Sequence, residues 1–271
     1  MTFSDTEKKR LFQRYGNWAL ITGASSGIGK ELATRLAEAG FNLVITGRRA
    51  SLLEELSRSL QNTYGGQIQP MQGDLSNMEE VDTLLQATND LPIGLAILNA
   101  GFGTSGKFLQ SNLDQELNML QLNCSTLLAM SHHFARKFAE KGRGGLILMS
   151  SMVSFQGVPN AANYAATKAY VQTLGEALAV ELKPQGVDVL CAAPGPVNSG
   201  FAARADMKMG AALSPEDVGV PILKALGRRT TALPGLLTKV LVYALRTAPR
   251  WGKIRIMSQV MGGFTKHQPS T

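Results

Sequence analysis

Short apolar runs alternate with longer amphipathic segments along most of this 271-residue chain. The runs are typical of buried parallel strands, whereas the segments between them repeat apolar residues with the period of a helix. A short final strand is also expected within residues 230–234. The six main predicted strands cover residues 18–21, 41–46, 67–72, 94–98, 146–149 and 187–193. This alternation predicts an α/β fold, a Rossmann-type doubly wound parallel sheet in a single domain.

Several connections between the strands carry signals of their own. A long helix is predicted for residues 113–140, and Ser214 precedes a proline and two acidic residues, the order expected at the start of a helix. Residues 201–213 combine small residues with Met207 and Met209. We interpret this segment as a mobile lid over a substrate pocket, because methionine adapts to apolar ligands. The alternative is that both methionines pack on the surface.

The composition is that of an ordinary globular protein, with 44% hydrophobic and 17% charged residues. It is too apolar for a disordered chain. No apolar run approaches the length of a membrane span, and the first residues lack the apolar core of a signal peptide, so we expect a cytoplasmic protein. The cysteines and histidines form no cluster with metal-ligand spacing, and no metal site is assigned.

The net charge of +7 is unevenly distributed along the chain. Residues 218–271 contain nine basic and no acidic residues, which leaves 18 basic and 20 acidic residues in the preceding part. Within this tail, residues 236–246 form an apolar helix with basic neighbours, a pattern that favours peripheral contact with an anionic membrane. The alternative is a helix packed on the core or on a partner subunit. No nucleic-acid partner is expected, since no binding motif accompanies the charge.

A glycine-rich turn follows the first predicted strand, in the order Gly-x-x-x-Gly-x-Gly and directly before a helical pattern. Glycines let a ligand approach the backbone, and free N–H groups at a helix N-terminus favour an anion. The two serines of the turn are expected to cap the helix or to bond the same groups. The sequence therefore predicts a dinucleotide phosphate site formed by Gly23, Ser25, Ser26, Gly27, Ile28 and Gly29.

Tyr164 and Lys168 lie four residues apart in an alanine-rich helical pattern, which places both side chains on one helix face. A phenol has an unperturbed pKa near 10, too high for efficient proton donation at neutral pH. An ammonium about 4 Å away stabilises the phenolate by roughly 4 kcal/mol at an effective dielectric constant of about 20. The pair is therefore predicted to act as an acid/base unit in which Lys168 lowers the pKa of Tyr164. The alternative is an exposed helix face without chemistry.

Ser151 ends a predicted strand thirteen residues before Tyr164, and together with Lys168 it resembles the active site of the classical short-chain dehydrogenase/reductase family. The glycine turn also has this family's spacing. The resemblance covers residues 18–228 and implies an NAD(P)-dependent oxidoreductase. In such an enzyme Tyr164 exchanges a proton with the substrate oxygen, Ser151 positions the carbonyl group and Lys168 also holds the cofactor ribose. Asn123 aligns with an asparagine that interrupts a helix and anchors a water leading to the lysine.

The same resemblance assigns further residues at strand ends to the cofactor site. Asp74 matches an aspartate at the adenine end. The turn of Asn99, Ala100 and Gly101 keeps the family's pattern except that Leu98 replaces an asparagine. A Pro-Gly turn after the sixth strand is expected to lie over the nicotinamide, with a serine where threonine is usual. Its assigned residues are Pro194, Gly195, Val197 and Ser199.

The second predicted strand ends in Gly47-Arg48-Arg49, and no acidic residue occurs between Glu38 and Glu54. An acidic residue near this position usually holds a free ribose 2′-hydroxyl, whereas arginine suits a 2′-phosphate. NADP(H) is therefore favoured over NAD(H), with Arg48 as the assigned ligand. The alternative is that the arginine only caps a solvated turn.

These features predict an NADP(H)-dependent carbonyl reductase or alcohol dehydrogenase acting on a small or lipid-like carbonyl or hydroxyl substrate. A regulatory protein that binds a dinucleotide without turnover is the alternative. We divide the chain into an N-terminal extension (1–17), a dinucleotide-binding catalytic domain (18–228) and a basic amphipathic C-terminal extension (229–271). A homo-oligomer is expected.

Overall fold

The computed structural model of the protein describes residues 3–208, 210 and 212–268. Within these residues, seven strands form one parallel sheet in the order β3-β2-β1-β4-β5-β6-β7. The strands are β1 (Trp18–Thr22), β2 (Asn42–Gly47), β3 (Ile68–Gln72), β4 (Ile93–Leu98), β5 (Gly144–Met149), β6 (Val187–Ala192) and β7 (Thr231–Ala232). The predicted Rossmann-type fold is confirmed, and the boundaries of the six main strands differ from the expected ones by one or two residues.

Helices cover both faces of the sheet. Eleven α-helices lie within the described residues: α1 (Asp5–Tyr15), α2 (Gly27–Glu38), α3 (Ala50–Tyr64), α4 (Met78–Ala87), α5 (Leu113–Leu120), α6 (Leu127–Glu140), α7 (Ala162–Glu181), α8 (Phe201–Arg204), α9 (Pro215–Ala225), α10 (Leu236–Thr247) and α11 (Arg250–Phe264). Ser214 forms the predicted cap of α9, with a reciprocal hydrogen-bond pair to Asp217. Because β7 pairs with β6, the sheet includes residues of the assigned C-terminal extension.

Strands β1, β4, β5 and β6 are buried on both faces almost throughout, which explains their continuous apolar sequences, whereas the edge strand β3 is partly exposed. Ala19 and Ile21 of β1 pack into the core beneath α2, α3 and α9, whereas Trp18 and Leu20 pack into the core beneath α4, α6 and α7. The chain runs from β1 outward to β3 and then returns to place β4 on the other side of β1. The carboxyl ends of β1 and β4 therefore enclose the crevice in which doubly wound folds bind their ligands.

The predicted long helix at residues 113–140 is interrupted in its middle. A π-helical turn, Gln121–Thr126, separates α5 from α6 and contains the buried Asn123. Such turns within helices are rare and occur frequently at functional sites. The helix is therefore interrupted at Asn123, as the family resemblance implied.

The segment after β6 folds against the C-terminal helices. Met207 is buried in an apolar cluster that also contains Tyr164, Leu245 of α10 and Met257 of α11. The alternative of surface packing is therefore wrong for Met207, while Met209 lies outside the described residues. That the segment moves as a lid stays a prediction.

Candidate active site

The glycine-rich turn brings the start of α2 tightly against the end of β1. Gly23 and Gly27 have left-handed φ values of +66° and +58°, which favour glycine. A Cβ atom at Gly29 would lie only 2.3 Å from the carbonyl oxygen of Gly23, and one at Gly27 would lie 2.7 Å from Cβ of Ser199. The glycines therefore form a cradle that side chains would fill, with the helix N-terminus at its base.

Thr22 joins this turn to the turn that follows β4. Its hydroxyl accepts hydrogen bonds of 2.9 Å from the backbone N–H groups of Asn99 and Ala100. The Asn99 amide in return donates to the carbonyl oxygens of Thr22 and Gly23. Sequence analysis did not assign Thr22, although a threonine ending a buried strand needs a hydrogen-bond partner and could have been singled out for that reason.

Ser25 and Ser26 do not cap α2 as predicted. Ser26 is the N-cap residue but makes no side-chain cap. Instead, both hydroxyls accept hydrogen bonds from Nη2 of Arg49, at 2.9 and 2.8 Å. The hydroxyls bond the guanidinium rather than the backbone N–H groups of α2, because the positive charge of the guanidinium makes its hydrogen bonds stronger.

Of the two arginines after β2, Arg49 faces the glycine turn and Arg48 faces Asp74. The Arg48 guanidinium lies 3.8 Å from the Asp74 carboxylate, which also accepts hydrogen bonds from the backbone N–H and hydroxyl of Ser76. The assignment of Arg48 alone was therefore incomplete, since Arg49 lies closer to the cradle. Two adjacent arginines cannot be told apart by sequence, because their directions depend on where the strand ends.

Ser151 and Tyr164 lie together at the carboxyl edge of the sheet, at the end of β5 and the start of α7. Hydrogen bonding between the Ser151 hydroxyl and the Tyr164 phenol acts to lower the pKa of the phenol. The neighbouring Ser150 points elsewhere, since its hydroxyl donates to the backbone carbonyl of Lys168 at 3.2 Å. The spacing argument thus selected the serine that faces the tyrosine.

Burial dominates the electrostatics of Tyr164 and Lys168. Desolvation raises the pKa of Tyr164 to about 12 and lowers that of Lys168 to about 8. The Lys168 ammonium lies 5.9 Å from the centre of the phenol ring and donates to the Met149 carbonyl at 2.8 Å. Burial therefore dominates the pKa of Tyr164 in the chain alone, and the expectation that Lys168 lowers it stays a prediction.

The side chain of Asn123 makes three hydrogen bonds to the protein. Its amide donates to the Phe102 carbonyl and to the Thr167 hydroxyl, and its oxygen accepts from the Phe102 backbone N–H. A Cβ atom at Gly101 would lie 2.8 Å from the Asn123 oxygen and 3.4 Å from Nζ of Lys168. Asn123 therefore fixes the turn after β4 beside the lysine, while its oxygen, which accepts one hydrogen bond, keeps a second lone pair. That Asn123 anchors a water stays a prediction.

The Pro-Gly turn after β6 lies between the serine loop and α10. The Pro194 carbonyl accepts a hydrogen bond from the Met152 N–H at 2.9 Å. A Cβ atom at Gly195 would lie 2.5 Å from the Thr238 hydroxyl oxygen. Ser199 packs directly on Gly27, so the turn and the glycine cradle are in contact.

Most of these residues line one cavity of about 640 Å³, within the roughly 300 to 1,000 Å³ of small-molecule sites. Thr22, Gly29 and Asn123 lie behind its lining and support it. One end contains the glycine turn and the arginines, and the middle contains Ser151, Tyr164 and Lys168. The far end is apolar and is formed by α10 and α11, through Leu237, Leu241, Met257, Val260 and Phe264. The glycine cradle and the arginine side chains fit the phosphates of a dinucleotide, and the apolar end fits a hydrophobic substrate.

Within the described ranges, no group of three His, Cys, Asp or Glu side chains is arranged to hold a metal ion. None of the helices in the described part of the chain combines the length and apolar content needed to cross a bilayer.

The family model for short chain dehydrogenases matches residues 17–209. A 7beta-hydroxysteroid dehydrogenase of Clostridium sardiniense is 32% identical over 231 residues, which cover 84% of this chain and 88% of that protein. A very-long-chain 3-oxoacyl-CoA reductase of Neurospora crassa is 37% identical over 185 residues, which cover 66% of this chain and 56% of that protein.

Two solved structures of similar fold were also found. A structure described as giving insights into 7beta-hydroxysteroid dehydrogenase stereoselectivity has a TM-score of 0.84 and 29% identity, over 91% of this chain and 98% of that one. A short-chain dehydrogenase from Sphingobium yanoikuyae in complex with NADPH has a TM-score of 0.80 and 29% identity, over 87% of this chain and 94% of that one.

Proposed function

Because this chain belongs to the short-chain dehydrogenase family and is an oxidoreductase, we propose that it is an NADP(H)-dependent reductase of hydrophobic ketones. One observation carries the proposal: Ser151, Tyr164 and Lys168 share a cavity with the glycine turn at one end and an apolar chamber at the other. The alternative of a regulatory protein without turnover needs neither the serine nor the apolar chamber.

In the proposed reaction, bound NADPH supplies the hydride to the substrate carbonyl carbon. The Ser151 hydroxyl donates a hydrogen bond to the carbonyl oxygen, and the Tyr164 phenol transfers its proton to that oxygen as negative charge develops there. Lys168 lies beside Gly101, and its proposed role is to hold the cofactor ribose. Asn123 fixes that turn.

In the chain alone, burial keeps the Tyr164 phenol in the form that donates a proton during reduction. Reduction requires a protonated phenol, and burial raises the pKa of Tyr164 to about 12. The phenol therefore keeps its proton until a substrate oxygen becomes basic enough to take it. Oxidation of an alcohol would need the phenolate, which burial disfavours.

Preference for NADP(H) is supported by the charges around the cradle. Arg49 contacts both serines of the glycine turn without a carboxylate partner within the described residues, and Arg48 lies beside it. A guanidinium suits a phosphate, whereas a free 2′-hydroxyl is better held by a carboxylate.

The hydrophobic substrate class is supported by the far end of the cavity. Met207, Met257 and Met261 pack there with Tyr164, and methionine accommodates irregular apolar ligands. Two relatives are named for hydroxysteroids and for very-long-chain 3-oxoacyl-CoA, and a steroid nucleus or a long acyl chain would suit such a chamber. We propose a lipid-like or steroid-like ketone as the substrate.

The test is NADPH oxidation measured against a panel of ketosteroids and long-chain ketones with the wild-type protein and Tyr164→Phe. Loss of the phenol proton should lower kcat by roughly 10² to 10⁴-fold, the usual contribution of a general acid. The same helix offers a matched control, Tyr170→Phe, whose side chain is exposed and does not line the cavity. Wild-type turnover by a folded Tyr164→Phe protein would contradict the proposed chemistry.

We also propose that the chain self-associates and that its C-terminal helices contact membranes peripherally. Leu113, Leu117 and Leu120 are exposed along α5, and an apolar helix stripe of this kind commonly packs on a second subunit. Sedimentation that gave only the mass of a single chain would contradict self-association. Location in the cytoplasm stays a prediction.

A further inference from the structure

Arg204, the last residue of α8, is near enough to Arg48 and Arg49 for their charges to act on it. All three side chains line the same cavity, although Arg204 comes from the segment after β6 and the other two follow β2. Partial burial and the charges of Arg48 and Arg49 together lower the pKa of Arg204. Within the described part of the chain, the Arg204 side chain has neither an ion pair nor a hydrogen bond.

Three guanidinium groups at one end of a cavity repel one another unless an anion lies between them. The Asp74 carboxylate, 3.8 Å from Arg48, compensates only one of the three charges. The remaining positive charge faces the cavity beside the hydroxyls of Ser25 and Ser26. This arrangement stores unfavourable electrostatic energy that a bound phosphate would relieve.

Contacts at the glycine turn fix where α8 begins. Ser199 packs on Gly27, where a Cβ atom would lie 2.7 Å from that of Ser199, and α8 starts two residues later. Arg49 reaches the same turn from the opposite side through Ser25 and Ser26. Arg204 and Arg49 therefore approach one region of the cavity from two separate parts of the sheet.

We propose that Arg204 completes a three-arginine clamp, with Arg48 and Arg49, for the 2′-phosphate of NADP(H). This inference rests on the proposed cofactor preference. It also has a consequence for the active site, because α8 carries Phe201 at its other end. The Phe201 ring lies 5.2 Å from the ring of Tyr164, centre to centre, so a phosphate that holds Arg204 also restrains the aromatic contact with the proton donor.

Calorimetric titration with adenosine 2′,5′-bisphosphate and with adenosine 5′-monophosphate tests the clamp without turnover. Both ligands carry the 5′-phosphate, and only the first carries the 2′-phosphate. Arg204→Ala should weaken binding of the bisphosphate roughly tenfold, the loss of one charge-assisted contact, and leave the monophosphate unchanged. Arg204→Lys should recover part of the loss, and Arg136→Ala, an exposed arginine of α6, should change neither affinity.

Hydrogen exchange of backbone N–H groups in α8 provides a second measurement. The N–H groups of Arg204 and Ala205 close this short helix by donating to Gly200 and Phe201. Hydrogen exchange of these groups should slow when the bisphosphate binds to the wild-type protein and stay fast in Arg204→Ala.

The possible results of these titrations distinguish a failure of the three-arginine clamp from a failure of the proposed NADP(H) preference. Unchanged bisphosphate affinity in Arg204→Ala would overturn the clamp, and equal weakening of both ligands would assign Arg204 to the common 5′-phosphate instead. A wild-type protein that bound both ligands equally would contradict the proposed NADP(H) preference itself.

Discussion

The Lys168 ammonium is buried without a carboxylate partner within the described residues, and its one strong contact is the Met149 carbonyl. Burying an unpaired charge is unfavourable, and the lowered pKa of about 8 expresses this cost. The lysine therefore destabilises the folded chain near neutral pH. A buried, unpaired ammonium with a strongly lowered pKa is typical of a catalytic or binding site.

We predict that Lys168→Met stabilises the ligand-free protein at pH 7 and abolishes its activity. Methionine is similar in length and carries no charge, so thermal unfolding should show a gain of about 2 kcal/mol after the lost hydrogen bond is allowed for. Lys183→Met, at an exposed lysine, is the control and should leave both stability and activity unchanged.

The gain has a defined pH dependence. The pKa of Lys168 is about 8 in the folded protein and 10.5 in an unperturbed lysine, so the unfolded chain binds this proton more tightly. Wild-type stability therefore rises with pH between these values. The advantage of Lys168→Met should be complete below pH 8 and vanish above pH 10.5. An advantage that did not change with pH would contradict the burial of a charged ammonium.

Single residues also show where sequence reasoning stops. Ser151, Tyr164 and Lys168 could be assigned because strand, helix and spacing fix their directions. Arg49 could not be separated from Arg48, and the raised pKa of the phenol could not be foreseen. The strength of an ion-pair effect depends on desolvation, and desolvation depends on the atoms packed around the group.

At the scale of elements, α10 closes one side of the cavity through its contact with the Pro-Gly turn. A Cβ atom at residue 195 would lie only 2.5 Å from the hydroxyl oxygen of Thr238, which is too close for two non-bonded atoms. Glycine at this position therefore permits α10 to approach the turn. Position 195 was assigned from the family resemblance to the cofactor site, and the structure adds this contact with α10.

We predict that Gly195→Ala destabilises the protein by about 1 to 3 kcal/mol in thermal unfolding, the usual cost of overpacking. Adding Thr238→Ala should restore most of the stability, because the Thr238 Cβ atom lies at an ordinary contact distance of 3.5 Å. Gly262→Ala in α11 is the control, since its added methyl group would meet no atom within 4 Å. Failure of the double variant to recover would mean that α10 does not pack on this turn.

For the whole molecule, the order of the strands follows from the alternation of strands and helices, because right-handed crossovers leave few arrangements of a parallel sheet. The cavity wall formed by α10 and α11 could not be predicted in the same way. The contact of Thr238 with Gly195, and the shared cavity lining of Arg204 and Arg49, bring together residues far apart in sequence that no local periodicity relates. The basic tail was predicted as a helix, but its place beside the substrate chamber was not.

Because α10 and α11 form a wall of the cavity, the opposite face of the tail is left exposed. Leu236 and Trp251 are 78% and 70% exposed, whereas Leu241 and Val260 are exposed on one side and line the cavity on the other. The surrounding charges are all basic, because no acidic residue follows Asp217. A second copy of this face would repel the first, while an anionic lipid surface attracts each lysine or arginine by about 1 kcal/mol.

We therefore predict that the wild-type protein floats with vesicles of equal parts phosphatidylcholine and phosphatidylserine at low salt, and much less with phosphatidylcholine alone. Replacing the exposed apolar pair, Leu236→Glu with Trp251→Glu, should abolish flotation without lowering the melting temperature, because neither side chain is buried. Val180→Glu changes a similarly exposed residue on α7 and should float like the wild type. If the double variant floated as well, charge alone would hold the protein at the vesicle surface, and the exposed apolar side chains would have no part in it.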